Sequence, residues 1–439
     1  MAEPHSPTPA PSLYPAIPVL EPAEEDSAIV DALPAPSPAS PVLVEAVDDD
    51  AAVVDAIPLP DKPPTDPISA IFRFVVRGVL LINSVFWWCF GVMVLMVGLA
   101  ALAALPILQF LSLGYLLEAG ARIARSGRIR DGFSGVRLAA RLGGVVAGAW
   151  LLLLPVRFVS SMARAASIID PGSATAERWR VGLFILICLV AFHIGLVCAR
   201  GGRVRFFFWP FNFVWLLLRL LRGGYYSQAR DAVWDTVMAL RLPYYFWLGL
   251  RGFAGAMAWL ILPISLIAVG RIHHPLAPLL GLFGAFLLTL VLMYLPFLQM
   301  RLAATNRFRG AFEICKARAA YRRAPWASTF ALFITLLFAL PLYLLKIEIV
   351  PREAAWLPSL VFIAFIYPAR LLTGWALGRA NRRKTPRHWF FRWTGRLPLL
   401  PLCALYVLIV YFTQFTSWNG VWSLYEQHAF LVPVPFFGM

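Results

Sequence analysis

The stretch "GVLLINSVFWWCFGVMVLMVGLAALAALPILQFLSLGYLLE", residues 78–118, runs for 41 residues and carries no charge before Glu118. As a single helix rising ~1.5 Å per residue it would be roughly 60 Å long. That is about twice the ~30 Å hydrocarbon layer of a bilayer. Pro106 lies inside the stretch, and proline removes a helical hydrogen bond. The stretch therefore reads either as one span with an apolar extension or as a tight helical hairpin divided at Pro106. Both readings need lipid as solvent.

Composition agrees. The 439 residues are 60% hydrophobic and 14% charged, with 16 Trp and 33 Phe, whereas a soluble chain is about a quarter charged. Seven further apolar stretches follow, near 142–160, 181–199, 245–269, 276–298, 327–345, 357–377 and 397–415. Each approaches the ~20 residues that cross a bilayer as helix. The fold class expected is all-α, a polytopic transmembrane bundle of eight spans, or nine with the hairpin.

Three regions follow from this. Residues 1–66 hold thirteen acidic groups, one basic group and fifteen prolines, too polar and broken for a core, so a disordered acidic tail is expected. Residues 67–415 form the multi-pass domain. Residues 416–439, rich in aromatics and without Lys or Arg, read as an outward-facing segment anchored by rings such as Trp418 and Trp422. Pro67 suits the first turn of a helix, with Arg73 and Arg77 on one face of a short surface helix before the first span.

The net charge of +16 would suit nucleic acid, but the arginines flank apolar spans. Orientation in the membrane and contact with anionic lipid explain them instead. Segments 120–141, 200–251, 301–323 and 379–396 carry 28 Lys and Arg, against seven in the intervening loops. The positive-inside rule puts the first set in the cytoplasm and the C-terminus outside. The N-terminus is cytoplasmic if the hairpin forms. The acidic tail is either a spacer or a docking segment for a protein partner.

"LPILQF" at 105–110 and "LPFLQM" at 295–300 suggest degenerate internal repeats, each reading proline, helix, basic segment, span, Leu-Pro. Pro210 heads a third block and Pro368 a fourth, shorter one. Gly114-Tyr115 and Gly224-Tyr225 occupy comparable places. The deep or interfacial polar candidates are Gln109, Gln299, His193 and Arg370, because an amide, imidazole or guanidinium in a span needs a partner. His193 is expected to bond a neighbouring helix and Arg370 to snorkel. "FNFVWLLLRLLRGG" and "SQARDAVWDTVMALR" read as surface helices, the latter with Ser227 as a cap. The five cysteines are expected to be free and buried.

No metal-ligand spacing, phosphate-binding loop or nucleophile elbow is present. No cofactor, metal or catalytic residue is expected. "LPILQFLSLGYLLEAGARIARSGRIRDGFSGVRLAARLGG" (105–144) with "LLLLPV" (151–156) resembles a family of bacterial polytopic membrane proteins known as a domain of unknown function. Gly114, Tyr115, Leu116, Leu117, Asp131 and Gly132 carry the match over about 78–160. The resemblance implies a bacterial inner-membrane location. Two function classes remain: a non-enzymatic membrane scaffold or assembly component, and a transporter of a small or anionic solute.

Overall fold

The computed structural model describes residues 67–344, 356–416 and 420–426. The acidic tail 1–66 and most of the C-terminal segment lie outside the described residues. Among the described residues the chain is all-helical, with no strand. The described residues from 76 onward form one compact unit.

The long elements are α1 (Pro67–Ala103), α2 (Gln109–Ser126), α3 (Val136–Ile169) and α4 (Ala174–Ala199). Three short helices follow, α5 (Val204–Phe207), α6 (Asn212–Leu221) and α7 (Tyr225–Ala239). The second half comprises α8 (Leu242–Val269), α9 (Ala277–Thr305), α10 (Ile314–Arg323) and α11 (Pro325–Leu344). It closes with α12 (Trp356–Asn381), α13 (Trp389–Arg396), α14 (Leu399–Thr416) and α15 (Ser423–Glu426). Seven helical segments among the described residues are long and apolar enough to cross a membrane, or eight if α10 and α11 count as one broken span. All eight apolar stretches seen in the sequence fall on these helices.

The core belongs to α2, α8, α9, α11, α12 and α14, with the end of α1. Helix α2 is its axis, packed on α8, α12 and α9. Thirteen of its eighteen residues are buried. Glycine makes this possible. A Cβ at Gly114 would lie 1.8 Å from the Tyr245 carbonyl oxygen, and one at Gly249 would lie 1.9 Å from that of Phe110. On the other side, a Cβ at Gly374 would lie 2.1 Å from the Gly120 carbonyl oxygen. Small residues let membrane helices approach to backbone contact in this way.

The break after α1 falls at residues 104–108, around Pro106, with Ile107 at φ 69°. Gly91 and Val94 of α1 meet Val136 and Gly143 of α3 in that order, so α1 and α3 run in the same direction. Helix α2 ends at the turn where α3 begins, so α1 and α2 have opposite polarity. A second break lies between α10 and α11, bent by 112° at Ala324. Pro325 disfavours helical geometry at the residue before it, and Ala324 takes φ −135°, ψ 62°.

Several expectations are corrected here. Among the described residues no separate surface helix precedes the first span, because α1 is continuous from Pro67. Helix α7 takes Gly224 as its N-cap, and Ser227 donates to the Gly224 carbonyl rather than capping. All five cysteines are free, but Cys89, Cys188, Cys198 and Cys315 are exposed and only Cys403 is buried. Three of the exposed four sit on apolar helices, where the protein surface faces lipid rather than core.

The twin strings also part company. Pro106 lies in the turn between two helices, whereas Pro296 lies inside the unbroken helix α9. Gly114 is a mid-helix contact, whereas Gly224 is an exposed left-handed cap.

Candidate functional site: a basic end and a buried polar pair

The four arginine-rich segments meet at one end of the bundle. Arg125 reaches the carbonyls of Ala303 and Ala304, at 3.4 Å each. Arg251 donates to the Asn306 carbonyl at 3.1 Å and to its Oδ1 at 2.8 Å. The Arg387 backbone N–H donates to the Arg322 carbonyl at 2.9 Å, and Arg383 lies 3.4 Å from that of Arg323. At the other end, Arg271 meets the Gln414 carbonyl and Ser265 bonds Tyr425 at 2.8 Å. The charge asymmetry of the sequence is thus a spatial one.

Glu118 anchors the centre of the basic end. Its Oε1 accepts from Arg125 at 2.6 Å and Arg122 at 3.2 Å. Its Oε2 accepts from Tyr244 at 2.8 Å. The carboxylate is 4% exposed and joins α2 to α8. An open cleft of about 480 Å³ lies beside it, lined in part by Arg122, Arg125, Arg130 and Asp131. Nearby, Glu313 accepts from Arg301 and, at 2.6 Å, from Lys316. Those two cations, Arg301 first, hold its carboxyl down at about 2.

The same turn occurs three times among the described residues. Gly127-Arg128-Ile129-Arg130-Asp131-Gly132-Phe133, Gly202-Arg203-Val204-Arg205-Phe206-Phe207-Phe208 and Asn306-Arg307-Phe308-Arg309-Gly310-Ala311-Phe312 share one pattern. The first residue is left-handed, at φ 76°, 67° and 53°. Glycine and asparagine take that conformation most readily. The arginine after it is extended. Its carbonyl accepts from the N–H three residues on, at 3.3, 2.9 and 2.9 Å. Bundle side chains pin the turns: Tyr367 donates to Gly132 at 3.1 Å, Asn212 to Phe206 at 2.7 Å and Trp259 to Ala311 at 2.9 Å. All six arginines of these turns are exposed.

No protein-family model, no curated protein and no solved structure matches the chain.

The four polar candidates fall in three places. Gln299 and Arg370 come together, with Arg370 Nη1 donating to Gln299 Oε1 at 2.7 Å. Gln299 Nε2 donates in turn to the Gly252 carbonyl at 3.2 Å. The pair joins α9, α12 and α8. Arg370 is 3% exposed, so it does not snorkel as expected. A guanidinium with a local acceptor has no need to reach the headgroups. Gln109 is buried at the start of α2, eight residues before Leu117, the residue that packs on Gly252. It therefore lies ~12 Å further along the axis than Gln299. His193 is half-buried, 3.1 Å from the Phe207 carbonyl on α5, the neighbouring-helix bond expected of it. Among the described residues, no group of three His, Cys, Asp or Glu is placed to hold a metal.

The three turns and the Tyr244–Glu118 bond are the features a reading by residue type passes over. The turns were detectable as a Gly/Asn-Arg-apolar-Arg-x-x-Phe string. Tyr244 gave no such signal, because it is 126 residues from its partner.

Proposed function

We propose that this chain is a non-enzymatic membrane scaffold whose arginine-bearing end engages anionic lipid and an acidic partner. The observation that carries the reading is the convergence of basic segments at one end of an apolar bundle, together with exposed arginines on three like turns. Exposed guanidiniums beside an apolar belt suit phosphate headgroups and acidic chains. The deep polar groups Gln299 and Arg370, in contrast, bond to each other. The resemblance to a bacterial polytopic family favours the inner membrane. The opposite polarity of α1 and α2 favours the hairpin, nine spans and a cytoplasmic N-terminus. The like turns favour duplicated helical units, with the turn rather than the proline as the repeated joint.

Extraction in a mild detergent tests the scaffold reading. A protein that co-purifies in fixed ratio is expected, and a solitary monomer overturns it. Orientation is tested separately through Cys315, exposed at the basic end. A membrane-impermeant maleimide should label it in inverted vesicles and not in spheroplasts. The reverse pattern puts the basic end outside.

A second reading, transport of a small anionic solute, draws on the buried Arg370–Gln299 pair. It expects a solute that raises the thermal stability of the purified protein, with the rise lost in Gln299→Leu. A broad solute screen without a shift removes its support.

A further inference from the structure

A second cleft, of about 580 Å³, opens between α11, α12 and the start of α13. Its basic side carries Arg379, Arg383 and Arg387. Among the described residues none of the three has a carboxylate within ion-pair distance. They rest instead on rings and carbonyls. Arg379 lies over Trp375 at 5.5 Å, Arg387 over Phe391 at 5.9 Å, and Arg383 points to the Arg323 carbonyl. Burial first, then the charges of Arg387 and Arg379, push the Arg383 pKa below its ordinary value.

The opposite wall is apolar. Trp326 and Phe330 of α11 are 52% and 50% exposed, and the described part of that helix carries no charge. The cleft thus runs from three converging cations onto a lipid-facing helix. A free anion would fill only the first part, and an acidic peptide would leave the rings in α11 unmatched.

We infer that this cleft is a binding site for a phospholipid with a doubly anionic headgroup. The phosphates lie against Arg379, Arg383 and Arg387, and an acyl chain follows Trp326 and Phe330. Two phosphates match three guanidiniums better than one, because the remaining like charge is smaller. The inference deepens the lipid-contact part of the proposed function and does not depend on a protein partner.

The test uses the full chain purified in an uncharged detergent. Added cardiolipin should raise Tm by about 4 °C at a hundredfold excess over Kd. Phosphatidylcholine and inorganic pyrophosphate should not. Combined Arg379→Gln, Arg383→Gln and Arg387→Gln should abolish the rise, while Arg178→Gln with Arg180→Gln, exposed near the start of α4, should keep it. Brominated-acyl cardiolipin gives a local readout that does not rely on the triple variant. It should quench tryptophan fluorescence less in Trp326→Phe than in the unaltered chain. A rise with phosphatidylcholine, a rise with pyrophosphate, a rise retained in the triple variant or quenching unchanged in Trp326→Phe each overturns the site. Loss of co-purifying protein with the cardiolipin effect intact refutes the scaffold alone.

Discussion

The crossing of α2 and α8 makes a quantitative prediction. Alanine at Gly114 would put a Cβ 1.8 Å from the Tyr245 carbonyl oxygen, where ordinary contact begins at 3.4 Å. The obstacle is backbone, so no side chain can rotate away. The helices must part by roughly 1.6 Å, and a gap of ~1 Å already forfeits up to half of a dispersion contact. Over-packing a core costs about 1–3 kcal/mol, and this site belongs at the upper limit. Alanine's better helix propensity returns only up to ~1 kcal/mol. For a folded region of roughly 350 residues, with ~2.1 cal/mol/K of unfolding entropy per residue, a net loss of about 2 kcal/mol lowers Tm by about 3 °C. The controls are Gly182→Ala and Gly195→Ala, since a Cβ at either position on α4 meets nothing within 4 Å. They should leave Tm unchanged or slightly raised. Gly249→Ala opens the same gap, so the double variant should lose less than the sum of the two. The assay is thermal unfolding in detergent, read by tryptophan fluorescence. If Gly114→Ala melts within ~1 °C of the controls, the backbone crossing is not what holds α2 in place.

Other expectations follow from single contacts. Gln299→Leu removes the 2.7 Å acceptor of Arg370 and should cost about 2–3 kcal/mol. Adding Arg370→Met should recover part of that loss, and strictly additive losses in a thermal double-mutant cycle would refute the coupling. The carboxyl of Glu313 has a folded pKa of about 2, below its ordinary 4.5. Its stabilisation is therefore full above ~4.5 and fades as pH falls through about 2. The Tm difference between the unaltered chain and Glu313→Gln should shrink across that window, and a difference independent of pH removes the ion-pair explanation. In the repeated turn, Gly127→Ala forces a left-handed alanine and should cost ~1–2 kcal/mol, whereas Gly127→Asn, a residue that tolerates the left-handed conformation, should cost less. Equal melting of the two variants would show that the left-handed step does not select the residue.

The limits of the sequence are instructive at particular residues. The membrane-crossing helices and the shared end of the basic segments are legible because each depends on a local property, apolar length or arginine density. Helix α2 is different. Glu118, Arg122 and Arg125 lower its hydropathy and make it look like a surface extension. Only the fold reveals that both arginines donate to Glu118 and that the helix is the axis of the core. Arg370 fails to read for a related reason, since its acceptor Gln299 is 71 residues away and nothing local distinguishes a paired guanidinium from a snorkelling one. The repeat shows a further effect. Leucine and proline are common in membrane helices, so "LPxLQ" recurs without sharing a conformation: Pro106 breaks a helix and Pro296 does not. The turn recurs with its dihedrals, its hydrogen bond and its clamping side chain, because a left-handed residue followed by an extended arginine restricts which residues fit. A recurrence defined by such backbone demands is therefore a better guide to shared local structure than a string of common residues, and here it falls on exposed arginines rather than on the buried glutamines.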